Sequence, residues 1–177
     1  MLAIGFDCET SGLIDNRTIK LDKQPEIIEF YGCVFETETG EVFQDFGVLI
    51  KPKHKVSEEI TRITTITNEM LVGCHPFAFH ANAIRDFLGA APTVIGHNLS
   101  YDKEMIDIEF QRLGEVINWP ATLCTVEQTI HLKGYRQSLS NLHKLLFNQE
   151  FSGAHRAKAD VQAMVKCVVE LTKRGEL

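Results

Sequence analysis

The sequence predicts an α/β domain, a mixed five-stranded sheet flanked by helices, and three observations lead there. Five short runs rich in β-formers are spread over the first 125 residues. Two of them, 26–36 and 41–50, are separated only by Thr37-Glu38-Thr39-Gly40, a spacing that makes an antiparallel hairpin. Helical periodicity then takes over and alternates with the last two runs, so helices must pack on the sheet's faces.

The first run, Leu2 to Gly12, is apolar, β-favouring and stopped by Ser11-Gly12, which makes it a buried strand. Leu13 to Gln24 is polar and reads as a loop, closed by Pro25. After the hairpin comes a basic stretch, Lys51-Pro52-Lys53-His54-Lys55, read as a solvated connection in preference to a phosphate-binding patch. Ser57-Glu58-Glu59 and Thr67 to Leu71 each open a helical turn. Phe77 to Leu88 sets Ala81, Ile84, Phe87 and Leu88 on one helical face and stops at Gly89.

Thr93 to Gly96 is the fourth strand and Thr122 to Thr125 the fifth. Between them Ser100 is expected to cap a helix from Tyr101 to Leu113, with Met105, Ile106, Phe110 and Leu113 on its core face. Asp102 tops that face, whereas Glu104, Asp107 and Gln111 point to solvent. Val126 to Leu132 reads as a further helix, and Ser138 caps a short one. The closing helix, Arg156 to Lys173, places Ala157, Val161, Met164, Val168 and Leu171 at alternating spacings of four and three, with Asp160 at the edge of that stripe.

A chain of 177 residues with 44% hydrophobic and 8% aromatic content fits one domain spanning 1–177 and can bury a sizeable core. Five scattered cysteines with no Cys-x-x-Cys pair point to reduced thiols in a cytoplasmic protein. No apolar run approaches membrane length, so no membrane partner is expected. The net charge of -6 argues against coating nucleic acid by bulk electrostatics, but it leaves room for an enzyme that meets nucleic acid at a metal-loaded site.

The chemistry gathers on carboxylates. Residues i and i+2 of a strand share a face, so Asp7 and Glu9 project together from the end of the first strand. Asp102 at a helix start and Asp160 beside a buried stripe are also partly buried acids, and each needs a compensating charge. A shared divalent cation, which favours oxygen ligands, supplies it. His155 precedes Asp160 by five residues, which on one helix separates them by about 140°. To face the same site it must sit in the loop before the helix.

With these residues in place, the sequence resembles the DnaQ-like 3′→5′ exonucleases of the DEDD superfamily, DEDDh subgroup. Phe6-Asp7-Cys8-Glu9-Thr10-Ser11-Gly12-Leu13 is similar to the family's first motif, Gly96-His97-Asn98-Leu99-Ser100-Tyr101-Asp102 to its second, and His155-Arg156-Ala157-Lys158-Ala159-Asp160 to its third. Residues 25–29 resemble its second strand and 65–71 its Gly-Ile-Thr turn. Three departures stand out: Thr65 in place of the turn's Gly, Cys124 where Asp often precedes Thr125, and a long loop from Ile14 to Gln24.

The resemblance implies a ribonuclease H-like fold and an enzyme releasing nucleoside 5′-monophosphates. Asp7, Glu9, Asp102 and Asp160 would bind two Mg²⁺ or Mn²⁺ ions roughly 4 Å apart, which supply the attacking hydroxide and stabilise the leaving 3′-oxygen. His155 would act as general base. Thr10, Ser11 and Leu13 would meet the terminal nucleotide, with a capped turn and a core leucine as the competing reading. Asn98 and Tyr101 would lie beside the scissile phosphate and sugar, with packing as the competitor for Tyr101, and His97 would hold its loop. The expected partner is the 3′ end of single-stranded or frayed DNA, as in proofreading or repair, with a DNA polymerase as a possible associate because the pattern is closest to polymerase-associated members. RNA trimming or oligoribonucleotide digestion is the alternative within the enzyme class. A non-catalytic polymerase-associated adaptor is the alternative outside it.

Overall fold

The computed structural model describes residues 1–177. Its centre is a five-stranded sheet: β1 (Leu2–Thr10), β2 (Ile27–Glu36), β3 (Val42–Leu49), β4 (Thr93–Gly96) and β5 (Ala121–Cys124). Their order is β3-β2-β1-β4-β5. β1–β2 and β2–β3 pair antiparallel, whereas β1–β4 and β4–β5 pair parallel, so the sheet is mixed as expected. This topology brings the C-terminal ends of β1, β3, β4 and β5 to the same end of the sheet as the start of β2.

The strand period divides the core in two. On one face Ile4, Phe6 and Cys8 pack with Phe30 and Val34 against α3 (Phe77–Leu88) and α4 (Leu99–Arg112). On the other face Ala3, Tyr31, Cys33 and Phe35 pack against Ala157, Val161, Met164 and Val168 of α8 (Ala157–Lys173). Gly5 and Gly32 permit the closest approaches: a Cβ on Gly5 would sit 2.7 Å from the Met164 methyl, and one on Gly32 2.6 Å from the Phe87 ring. Asp7 and Glu9 continue the α8 face of β1 past the point where apolar packing ends.

The remaining helices are short. α1 (Glu58–Thr64) is capped by Ser57, α2 (Asn68–Leu71) by Thr67, and α7 (Leu139–Phe147) by Ser138, whose hydroxyl accepts from Asn141 N–H. Where one helix was expected over 126–132, there are two turns, α5 (Thr125–Gln128) and α6 (Ile130–Lys133). They are broken at buried Thr129, whose hydroxyl donates to the Thr125 carbonyl.

Three further expectations are corrected. Ser100 does not cap α4. Asn98, in the left-handed conformation at φ 65°, turns the chain straight out of β4, so the helix already begins at Leu99. Leu113 is 37% exposed because α4 has ended by that point. Asp107 is half-buried: it accepts from Trp119 Nε1–H and pairs with Lys103. The loop 13–24 contains a 3-10 turn at Leu21–Lys23. It is pinned by Arg112, whose guanidinium donates to the carbonyls of Leu21, Gln24 and Pro25.

Candidate functional site

At the sheet end where β1 and β4 finish and α8 begins, a cleft of about 440 Å³ is lined by Asp7, Glu9, Asp102, His155 and Asp160. Leu13, Asn98, Tyr101 and Ser138 to Ser140 complete its walls. β1 delivers Asp7 and Glu9 by its period of two, α8 delivers Asp160 from its first turn, and α4 delivers Asp102. Carboxylate oxygens of Asp7, Glu9 and Asp160 all fall within 4.8 Å of one another. Asp102, only 4% exposed, accepts a 3.0 Å hydrogen bond from Cys8 N–H, which locks it against β1 between the first two acids.

The electrostatics are those of negative charges crowded out of water. Burial, followed by repulsion from Asp102, Glu9 and Asp160, pushes the Asp7 carboxyl well above its ordinary range. Glu9 rises to about 8, from burial and then from Asp160 and Glu29. Asp102 rises to about 7, chiefly from burial, and Asp160 rises for the same reason. No Lys, Arg or His side-chain nitrogen lies within 4.0 Å of any of the four, and the pull of Arg156 on Glu9 and of His155 on Asp160 offsets the rise only in part. The donor set is all hard oxygen, which fits Mg²⁺ or Mn²⁺ and does not fit a soft ion.

His155 stands in the loop before α8, as its spacing from Asp160 requires. Its backbone is left-handed at φ 66°, its N–H donates to Asp160 Oδ2 at 2.8 Å, and its ring is exposed at the cleft. One hydrogen bond thus ties the backbone of the base candidate to the carboxylate of the ligand candidate.

The substrate-contact candidates divide. Leu13 is 85% exposed on the cleft wall, which removes the core-leucine reading. Ser11 turns away from the cleft: its hydroxyl accepts from Glu26 N–H and its own N–H donates to the Glu26 carbonyl, so it staples β1 to β2. Thr10 is buried, and its hydroxyl lies 2.8 Å from both the Tyr101 hydroxyl and the Gly12 carbonyl. Tyr101 reaches the cleft wall while its hydroxyl donates to that carbonyl at 2.8 Å, so it also holds the turn after β1. Asn98 is exposed on the wall. His97 spans Thr125 Oγ1 and the Gln137 carbonyl, and burial lowers it to about 4, so it remains a neutral strut.

Two pairs were not foreseen. Glu29 is 8% exposed and lies directly across from Glu9 in the β1–β2 register. It receives the Arg156 guanidinium through Nε (3.1 Å) and Nη2 (2.7 Å), and Ala157 N–H at 3.0 Å, fastening the start of α8 to β2. The only sequence signal was a lone acid within an apolar strand. Arg136, in the loop before α7, pairs with Glu127 through one guanidinium nitrogen and donates through the other to Asn98 Oδ1 at 2.9 Å, which holds Asn98 at the rim.

Comparison with known proteins bears on the family and the fold. The DNA polymerase III PolC-type of Staphylococcus aureus is 29% identical over 178 residues, an alignment that takes in 97% of this chain but only 12% of that protein. Among solved structures, the nuclease domain of 3′hExo, a DEDDh family member bound to rAMP, superposes with a TM-score of 0.78 at 15% identity, covering 98% of this chain and 92% of that one. Exonuclease X in complex with 5′ overhanging duplex DNA superposes with a TM-score of 0.70 at 20% identity, covering 98% and 93%. Both share the ribonuclease H-like fold. The family model described as RNase_T exonuclease matches residues 4–168, nearly the whole sheet and the closing helix, and the chain therefore belongs to the RNase_T exonuclease family as a DnaQ-like member.

Proposed function

We propose that this chain hydrolyses DNA from the 3′ end, releasing nucleoside 5′-monophosphates from single-stranded or frayed termini, in proofreading or repair. The observation that carries the reading is the convergence of Asp7, Glu9 and Asp160 within 4.8 Å, backed by buried Asp102, with no side-chain cation among them. The four carboxylates would hold two Mg²⁺ or Mn²⁺ ions. Such ions supply an acidified water and positive charge at the phosphodiester.

The chain's own groups do the remaining work. His155, exposed at the cleft and held by Asp160, takes the proton of the attacking water. Leu13 offers an apolar surface to the terminal base, and Asn98, held by Arg136, meets the strand from the cleft wall. Ser11, Thr10 and Tyr101 keep the turn after β1 rigid, so that Leu13 is presented at a fixed height. The similarity to a PolC-type polymerase, of which the aligned part is a small fraction, supports work beside a DNA polymerase.

The test uses two strands of matched sequence, one DNA and one RNA, labelled at the 5′ end, with Mg²⁺, Mn²⁺ or EDTA. The expected result is a ladder shortening from the 3′ end on DNA, absent in EDTA. Faster loss of RNA would overturn the DNA assignment, since no residue in the cleft announces a contact to the 2′-hydroxyl. No ladder on either strand would overturn the activity.

A further inference from the structure

The basic stretch after β3 sits at the same end of the sheet as the carboxylates. Glu9 pairs with Glu29 and Glu29 with Leu49, so the three lie in one line across β1, β2 and β3. At the usual strand spacing, Leu49 is about 10 Å from Glu9. Lys51 follows two residues later. The loop is then tied back toward the site: Lys53 N–H donates to both Glu26 carboxylate oxygens at 3.0 Å, and the Glu26 backbone is the one stapled to Ser11. Lys51 N–H is fixed in turn by the His75 carbonyl at 2.9 Å.

The ordering is in the backbone, and the side chains are free. Lys51, Lys53 and Lys55 are exposed, and no carboxylate comes within 4.0 Å of their ammonium groups. Three exposed lysines within five residues of one tied loop concentrate positive charge in a chain of net charge -6. They stand roughly 10–20 Å from the carboxylates by strand spacing and residue rise. At about 3.4 Å per stacked nucleotide this is three to six nucleotides of strand.

We infer that Lys51, Lys53 and Lys55 form a second contact for the nucleic-acid strand, holding phosphates three to six nucleotides inward from the 3′ end. The inference rests on the exonuclease reading and sharpens it: the substrate is a polynucleotide that spans both contacts, and a dinucleotide gains nothing from the second one. The lysines act as point charges on phosphate, so they add affinity without sequence preference.

The experiment compares the wild type with the triple variant Lys51→Gln, Lys53→Gln, Lys55→Gln on single strands of 2 and 15 nucleotides with the same 3′ end. Neutralising three phosphate contacts on a single strand should flatten the dependence of log affinity on log salt by about 2, so lowering salt from 200 to 50 mM favours the wild type by about 20-fold on the 15-mer. On the dinucleotide the two proteins should be equal in kcat and KM. Fluorescence anisotropy of the 15-mer in Ca²⁺ reads the same slope without cleavage. Equal salt slopes for both proteins on the 15-mer would overturn the inference, including where the loop serves another anionic partner. A wild type that binds the 15-mer with the steeper slope but cuts neither length would overturn the exonuclease reading and leave the loop contact standing. Loss on the dinucleotide as well would overturn the assignment of the lysines to a distant contact.

Discussion

At the residue scale, one hydrogen bond joins the two halves of the proposed chemistry: the backbone of His155 is clamped to Asp160, so the proposed base starts from a point set by a proposed metal ligand. Replacing His155 with Ala should remove a proton acceptor and leave the carboxylates in place. Turnover should fall about 10²–10⁴-fold, with KM and Mn²⁺ affinity nearly unchanged; a large loss of Mn²⁺ affinity in a titration would assign the residue to the ion instead. Asp7 and Glu9 were legible from the strand period, and Asp102 and Asp160 from their places beside buried helical stripes; that these four meet His155 in one site was implied by the resemblance to the DEDDh motifs, because no period brings separate elements together. Ser11 was not legible, because its partner Glu26 lies fifteen residues away and only the sheet register brings them together. Glu29 was hidden for a similar reason: nothing in the sequence says that a strand acid will meet Arg156 across 127 residues.

At the element scale, the start of α8 carries the largest structural consequence of that missed pair. Without Arg156 the Glu29 carboxylate stays buried opposite Glu9 with only the Ala157 N–H for support. Orphaning a fully buried partner costs about 3–5 kcal/mol, but the Arg156 side chain is 36% exposed, so screening reduces the expectation for Arg156→Leu to about 2–3 kcal/mol. Urea unfolding with an unchanged m-value measures it; a loss below about 0.5 kcal/mol would show that the pair does not hold the helix. The strand and helix assignments themselves were readable from periodicity, and α3 and α8 bury the residues their stripes required. Boundaries failed where one residue's backbone decided them. Asn98 enters a left-handed turn that starts α4 before Ser100, and buried Thr129 divides a stretch that reads as one helix.

At the scale of the whole molecule, four strand ends and the start of α8 meet at one end of the sheet, and the fold holds four acids there against their own repulsion. Burying those charges, with their mutual repulsion added, has a consequence of definite sign. Glu9 is raised from 4.5 to about 8 and Asp102 from 3.8 to about 7, so the ion-free folded chain binds protons that the unfolded chain releases. Stability in EDTA should therefore fall as pH rises across about 4 to 8. Mn²⁺ should restore it, more at pH 8 than at pH 5, because an ion that binds only the folded state stabilises it and competes with those protons. Melting curves at the two pH values check this, and a Tm that rises with pH in EDTA would contradict it. The measurement that bears most directly on the account is strand degradation by Asp7→Asn beside the wild type. With a 5′-labelled DNA strand and saturating Mn²⁺, the wild type should give a ladder from the 3′ end that EDTA abolishes, and the folded variant should give none. A ladder that survives EDTA, or one from Asp7→Asn at the wild-type rate, would contradict the claim that these carboxylates and their ions cleave the strand.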